Sequence, residues 1–411
     1  MKILLVNKYF FIKGGAENSF FLTAKILKKG GHEVAFFSMQ HPRNILSKYW
    51  KYFVSNVDYQ KNGIRNKIRV SLKLLYSFEA KRNIIKLIED ERPDIIHLNN
   101  IYHQLSPSIL HAIKQFRLPV VMSLRDHKMV CAAYLMFSKG KVCDACKGGS
   151  YYHCFLKSCV KESSLKSLLS TIEMYLHHKI FHIYDLVDVF VSPSQSVKSN
   201  LKEMGFKGSI VHLPNFVDTS EYEPTFSYRQ KSVVYFGRLS REKGLNTLIE
   251  AVKDIKELDL KIIGEGPERK HLEKKAKKGK HRNIRFLGYK TGEQLKNEIK
   301  ESMFTILPSE CYENNPRSII EAFALGKPAL GSRIGGIPEL IKDGESGMTF
   351  KSGDVDDLRE KLIVMLENPN RVLQMGKSAR KLVEKKYDAK SHYDKLMEIY
   401  DHAKYRHEML S

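Results

Sequence analysis

The segment Ser309-Glu310-Cys311-Tyr312-Glu313-Asn314-Asn315-Pro316-Arg317-Ser318-Ile319-Ile320-Glu321 gathers groups able to hold a phosphorylated, polyhydroxylated ligand. It follows the apolar run Met303–Leu307, read as a strand, and opens a helix. Asn315 suits the N-cap of that helix and Pro316 its first position. A helix start presents unpaired N–H groups and the positive end of the dipole, both favourable to phosphate. Glu313 falls just outside the helix and Glu321 inside it. One carboxylate can accept hydrogen bonds from hexose hydroxyls, the other from ribose hydroxyls. The same pair also fits an ordinary acidic helix start with one charged face position.

Arg238 follows an apolar run that ends in Gly237, and Lys243 lies one turn further on. Together they can grip a diphosphate, Arg through its planar fork and Lys as a point charge. Two solvent-facing basic residues in a loop would look the same. Gly14-Gly15 lies after the first strand, where missing side chains let backbone approach phosphates or simply make a turn. It is not a G-x-G-x-x-G fingerprint, so no dinucleotide cofactor is indicated. His97 ends an apolar strand and is either a cleft group or a satisfied structural histidine. Five of the six cysteines fall in Cys131-x11-Cys143-x2-Cys146-x7-Cys154-x4-Cys159. Cys143, Cys146, Cys154 and Cys159 form two close pairs that can supply four thiolates to a structural zinc, with free thiols as the alternative.

Two series of alternating strands and helices must position these groups, as expected of parallel βαβ units. The first has strands at Lys2–Asn7, His32–Ser38, Asp94–Leu98, Pro119–Leu124, Val187–Val191 and Ser209–Leu213. Helices are expected to about Lys29, over Ser106–Phe116 and near Ser170–Ile183. Met39–Tyr76 has weak periodicity and reads as loops and helices. Pro214-Asn215 and Asp218–Gln230 read as a linker. The second series has strands at Ser232–Phe236, Leu258–Ile263, Asn283–Leu287, Met303–Leu307, Pro328–Gly331 and Gly347–Phe350. The end is helical from about Val355. This predicts an α/β chain of two Rossmann-like domains, 1–214 with a cysteine-rich insert at about 131–160, and 215–388. A last helix, 389–411, is expected to pack back toward the first domain. Ligands should lie in the cleft, at the C-terminal ends of the strands.

With 411 residues, 42% of them hydrophobic, the chain can bury a core in each half. Its apolar N-terminus, Ile3-Leu4-Leu5-Val6, is cut short by Asn7 and Lys8, which reads as a buried strand and not a signal peptide. No apolar run approaches the ~20 residues of a membrane span, so a cytoplasmic protein is expected. Lys and Arg number 69 against 46 Asp and Glu, a formal charge of +23. The basic residues are dense between Lys48 and Arg82 and in Lys274–Lys278. They read as solvated helix faces or as a surface for anionic lipid at the inner face of the membrane. No nucleic-acid reader module is recognisable, so no nucleic-acid partner is expected.

Glu313-x7-Glu321 resembles the E-x7-E motif of family 4 glycosyltransferases, the retaining group with a GT-B fold. Five further stretches match in the family's order: Gly14-Gly15-Ala16-Glu17, Asp94-Ile95-Ile96-His97, Phe236-Gly237-Arg238 with Lys243-Gly244, Gly264-Glu265-Gly266-Pro267, and Gly335-Gly336-Ile337-Pro338-Glu339 with Gly344-x2-Gly347. The resemblance spans nearly the whole chain. It implies transfer of a hexose-type sugar from a UDP- or GDP-sugar to a glycan or lipid-linked glycan, as in bacterial surface polysaccharide assembly. It also implies that Arg238 and Lys243 replace a divalent metal at the leaving diphosphate, so catalysis needs no cofactor, and that Glu313 is catalytic. Gly14, Gly15, Gly237, Gly266, Asn314, Asn315 and Glu321 then bind the donor. His97, Arg125 and Asp126 then face the acceptor. Relatives often carry His-Asp where this chain has Arg125-Asp126, and a second His at Asn99; Arg125 could instead hold a phosphate or the acceptor. An epimerase or phosphorylase on the same architecture is the first alternative, and a basic membrane- or nucleic-acid-binding module the second.

Overall fold

The computed structural model describes residues 1–56, 71–279 and 283–410, with nothing said of the side chain at 410. Strands β1 (Lys2–Val6), β2 (Glu33–Phe37), β3 (Ile95–Leu98), β4 (Val120–Ser123), a hairpin of β5 (Phe137–Ser138) and β6 (Lys141–Val142), then β7 (Val189–Ser192) and β8 (Ile210–His212) occupy the first half. Strands β9 (Ser232–Phe236), β10 (Asp259–Ile263), β11 (Ile284–Gly288), β12 (Phe304–Leu307), β13 (Ala329–Ser332) and β14 (Gly347–Phe350) occupy the second. Apart from the antiparallel β5–β6 hairpin, they form two six-stranded sheets, ordered β2-β1-β3-β4-β7-β8 and β11-β10-β9-β12-β13-β14, with every pairing in these two sheets parallel. Parallel strands need crossovers, which lay helices on both faces, so the central strands are apolar throughout. Ile3, Leu4, Leu5 and Val6 of β1 are fully enclosed for this reason.

In each sheet the strand order reverses once beside the first strand, between β1 and β3 and between β9 and β12. Loops leaving neighbouring strands there diverge to opposite faces and open a crevice at the carboxyl ends. Gly14-Gly15 lies after β1, Arg238–Lys243 after β9 and Ser309–Asn314 after β12. The last helix, Ala389–Leu410, returns to the first half and buries Leu396, Ile399, Tyr400 and Ala403 in its core. Among the described residues no helix is long and apolar enough to cross a membrane.

Two local expectations are corrected. The helix expected over Ser106–Phe116 is α-helical only at Ile109–Ile113 and tightens to a 3-10 turn at Lys114–Phe116. The one expected near Ser170–Ile183 begins at Ser164, capped by the Ser163 hydroxyl, and widens after Tyr175 into a π turn, Leu176–Ile180. Its apolar stripe faces outward. Of Met39–Tyr76, a 3-10 turn at Lys48–Tyr52 is described, while 57–70 lie outside the described residues.

Candidate active site

The loops after β9 and β12 are joined by an ion pair. Lys243 Nζ stands 2.5 Å from Glu313 Oε1, with the two side chains only 22% and 13% exposed. The Ser309 hydroxyl donates to the same oxygen at 2.5 Å. Burial opposes the Lys243 charge, but the Glu313 carboxylate outweighs it and holds the ammonium above its ordinary pKa. Close backbone approach sets this geometry. Gly244 has φ +67°, and a Cβ there would lie 1.9 Å from the Pro308 carbonyl oxygen. A Cβ on Gly336 would lie 1.7 Å from the Asn314 oxygen, and Gly336 N donates to Glu313 O at 2.8 Å. The Gly335-Gly336 turn thus props the Glu313 loop from beneath.

Arg238 is exposed, and its side chain makes no hydrogen bond or ion pair with a described residue. Its backbone is fixed: the Tyr235 hydroxyl donates to Arg238 O at 2.8 Å. Gly237 N donates to Ile263 O and Leu239 N to Glu265 O, which sets Gly237 beside the β10 exit that carries Gly266.

The helix after Glu313 runs over Arg317–Ala324 with Pro316, not Asn315, at its N-cap, and no side chain caps it. Asn315 is diverted to the linker: its Oδ1 accepts from Asn215 N at 2.9 Å and its carbonyl from Asn215 Nδ2 at 2.7 Å. Asn314 Nδ2 donates to Arg125 O in the first domain. Both amides expected on a donor therefore tie the domains together. Glu321 Oε1 accepts from Arg317 at 3.1 Å, and Arg317 also donates to Phe216 O at 2.7 Å. Arg317 had no separate signal in the sequence; its spacing of four from Glu321 on a helix was the available clue.

Across the cleft, Gly14 and Gly15 open the helix Gly15–Lys29. A Cβ on Gly15 would meet nothing within 4 Å, and one on Gly14 only Glu17 at 3.8 Å. Packing within the chain does not demand glycine there; the loop borders open space. His97 is corrected from acceptor-side group to structural residue. Both ring nitrogens are used, Nδ1 with Tyr400 Oη and Nε2 with Ser123 Oγ, each at 2.8 Å. The ring is 2% exposed, and burial lowers its pKa to about 3. Arg125 bonds Asn99 Oδ1 and Asn215 Oδ1 at 3.1 Å each; burial, with Arg317 nearby, lowers its pKa to about 10. Asp126 accepts from Lys128 N at 2.9 Å, and burial raises its pKa. Glu339, the last residue of Gly335–Glu339, bridges the domains, accepting from Gln195 N and Ser196 N at 2.8 and 2.7 Å.

All five insert cysteines, Cys131, Cys143, Cys146, Cys154 and Cys159, line one small void with His153. Every cysteine is a free thiol. Among the described residues no group of three His, Cys, Asp or Glu side chains stands in metal-holding geometry. The insert's hairpin turn reaches the loop after β9: a Cβ on Gly140 would lie 3.1 Å from the Arg241 guanidinium.

Two family models match the chain: Glycosyltransferase Family 4 over residues 13–221 and Glycosyl transferases group 1 over residues 220–382. An uncharacterized 42.6 kDa protein in the cps region of Klebsiella pneumoniae is 27% identical over 357 residues, 83% of this chain and 88% of that one. An uncharacterized glycosyltransferase of Methanocaldococcus jannaschii, MJ1178, is 28% identical over 152 residues, and the chain spans only 43% of its length. Anabaena Alr3699/HepE in complex with UDP-glucose superposes with a TM-score of 0.67 at 17% identity, covering 98% of this chain and 99% of that one. The fold is GT-B, and the chain belongs to the family 4, group 1 glycosyltransferases.

Proposed function

We propose that the chain transfers a hexose-type sugar, with retention of configuration, from a UDP- or GDP-sugar to a glycan or lipid-linked glycan in bacterial surface polysaccharide synthesis. One observation carries this reading: Arg238 and the Lys243–Glu313 pair occupy the two loops that flank the strand-order reversal of the second sheet. The HepE complex with UDP-glucose and the cps-region relative support the donor and the pathway class.

In this mechanism the donor diphosphate rests between Arg238, Lys243 and the uncapped amides at the start of Arg317–Ala324. As the glycosidic bond to the diphosphate breaks, charge grows on its oxygens. Lys243, held by Glu313, and Arg238, on a fixed backbone, stabilise that charge with the helix dipole and without a divalent ion. Glu313 keeps Lys243 charged and in place through Oε1, leaving Oε2 for a hexose hydroxyl. Glu321 receives ribose. The acceptor enters beside Asp126 and Arg125 and attacks the face the diphosphate leaves. Closure of the cleft excludes water and limits donor hydrolysis. Cys143, Cys146, Cys154 and Cys159 line one void, with Lys157 Nζ donating to Cys143 Sγ at 3.5 Å; they are the residues that would hold a structural zinc, and to do so they would have to draw closer than they stand here.

The test is incubation with UDP-, GDP- and ADP-sugars and a glycan acceptor, in EDTA, with the new anomeric centre read by NMR. An α-linked product from an α-linked donor is expected. An inverted product, or release of an epimerised donor without transfer, overturns the reading.

A further inference from the structure

The helix Ser164–Tyr175 is turned inside out. Its enclosed side carries Ser167, Ser170, Thr171 and Glu173, with Met174 the one apolar residue among them, none more than 7% exposed. Three of these polar residues find partners within the domain, while Glu173 Oε1 has no hydrogen-bond partner among the described residues. Glu173 pairs with buried Lys128 at 2.8 Å, Ser167 Oγ accepts from Val160 N at 2.9 Å, and Thr171 Oγ1 donates to Tyr151 O at 3.3 Å. The opposite side faces solvent with Leu165 at 75%, Leu168 at 38% and Ile172 at 41% exposure, spaced i, i+3, i+7. Ile180 on the following π turn and Leu156 on the adjoining short helix Tyr152–Leu156 are 62% and 67% exposed. A surface helix of a water-soluble fold has the reverse polarity. A contiguous exposed apolar stripe marks a surface that meets something apolar.

Charge says what it meets. Lys161, Lys166 and Lys179, all exposed, border the stripe. The acids beside it are Glu162 and Asp185, and Asp185 already faces His182 at 3.5 Å. In a two-fold contact with a second copy, this basic rim would meet itself and be repelled. Against anionic headgroups it is complementary, while the leucines enter the acyl boundary. We propose that this face, Leu165–Ile172 with Leu156 and Ile180, docks the chain on an anionic bilayer. The inference does not rest on the sugar-transfer reading, because docking is measured without a donor.

The experiment is co-sedimentation of the full chain with vesicles of phosphatidylcholine alone and of phosphatidylcholine mixed with phosphatidylglycerol. The wild type should sediment with the mixed vesicles, and L165S/L168S/I172S should bind at least about tenfold more weakly. Exchange of Lys161, Lys166 and Lys179 for glutamine should abolish the preference for phosphatidylglycerol. These side chains are solvent-facing, so the fold should persist, as checked by circular dichroism. As a second readout, L168W in a W50F background should shift its emission to the blue with the mixed vesicles only. Equal sedimentation of wild type and triple variant, or no sedimentation at all, overturns the proposal. So does a dimer in solution that the triple variant abolishes.

Discussion

Lys243 Nζ and Glu313 Oε1, seventy positions apart in sequence, meet at 2.5 Å and lock the exit loops of β9 and β12 into one unit. The lysine's charge is therefore maintained inside the cleft before any ligand arrives. Replacing Glu313 by Gln removes that counter-charge while keeping the shape. Turnover should fall by about 100-fold or more, since one preorganised electrostatic contact at a developing charge has this size. Rates within threefold of wild type, measured with an identified donor, would remove Glu313 from the mechanism.

The Gly335-Gly336 turn supports that pair from below. Gly336→Ala puts a methyl where only 1.7 Å separates it from Asn314 O, so the Glu313–Asn314 backbone must move. Nucleotide affinity should drop by about tenfold or more, with a lower midpoint in thermal unfolding. A variant that binds nucleotide normally would show that the turn does not shape the site.

His97 makes stability depend on pH. Its folded pKa of about 3 lies below the ordinary 6.5, so the folded state resists a proton that the unfolded chain accepts. The contribution is complete above pH 6.5 and is lost progressively as pH falls toward 3. Between pH 7 and 5 it amounts to about 2 kcal/mol. His97→Gln can still bond Tyr400 and Ser123 but cannot titrate. Urea unfolding at the two pH values should show wild type losing about 2 kcal/mol more than this variant; identical losses would contradict the neutral, enclosed ring.

The thiols that share one void are the candidate zinc site, although they must draw together to hold the ion. Protein purified without chelator should carry about one equivalent of zinc, and Cys146→Ser with Cys154→Ser should lose it and destabilise the insert. Less than about half an equivalent in the wild type would leave Cys143, Cys146, Cys154 and Cys159 as free thiols.

Much of the architecture was legible because parallel strands buried on both faces write short apolar runs into the sequence, as in Ile3–Val6. The E-x7-E segment and the basic loop were legible because each follows such a run directly. What was not legible depended on distant partners. Asn315 looks like an N-cap locally, but Asn215, a hundred positions away, takes its carboxamide oxygen. His97 looks like a cleft residue until Tyr400 returns from the last helix to cover it. The helix Ser164–Tyr175 was misplaced because its polar side is the enclosed one, where Lys128 receives Glu173.

The central claim is that Arg238 and Lys243 grip the donor diphosphate. Its most direct test is calorimetric titration of UDP and GDP into the wild type, Arg238→Ala and Lys243→Ala. One nucleotide should bind the wild type saturably, and each variant should bind it at least about tenfold more weakly, the loss expected for a charge-assisted contact. Unchanged affinity in both variants would contradict the account.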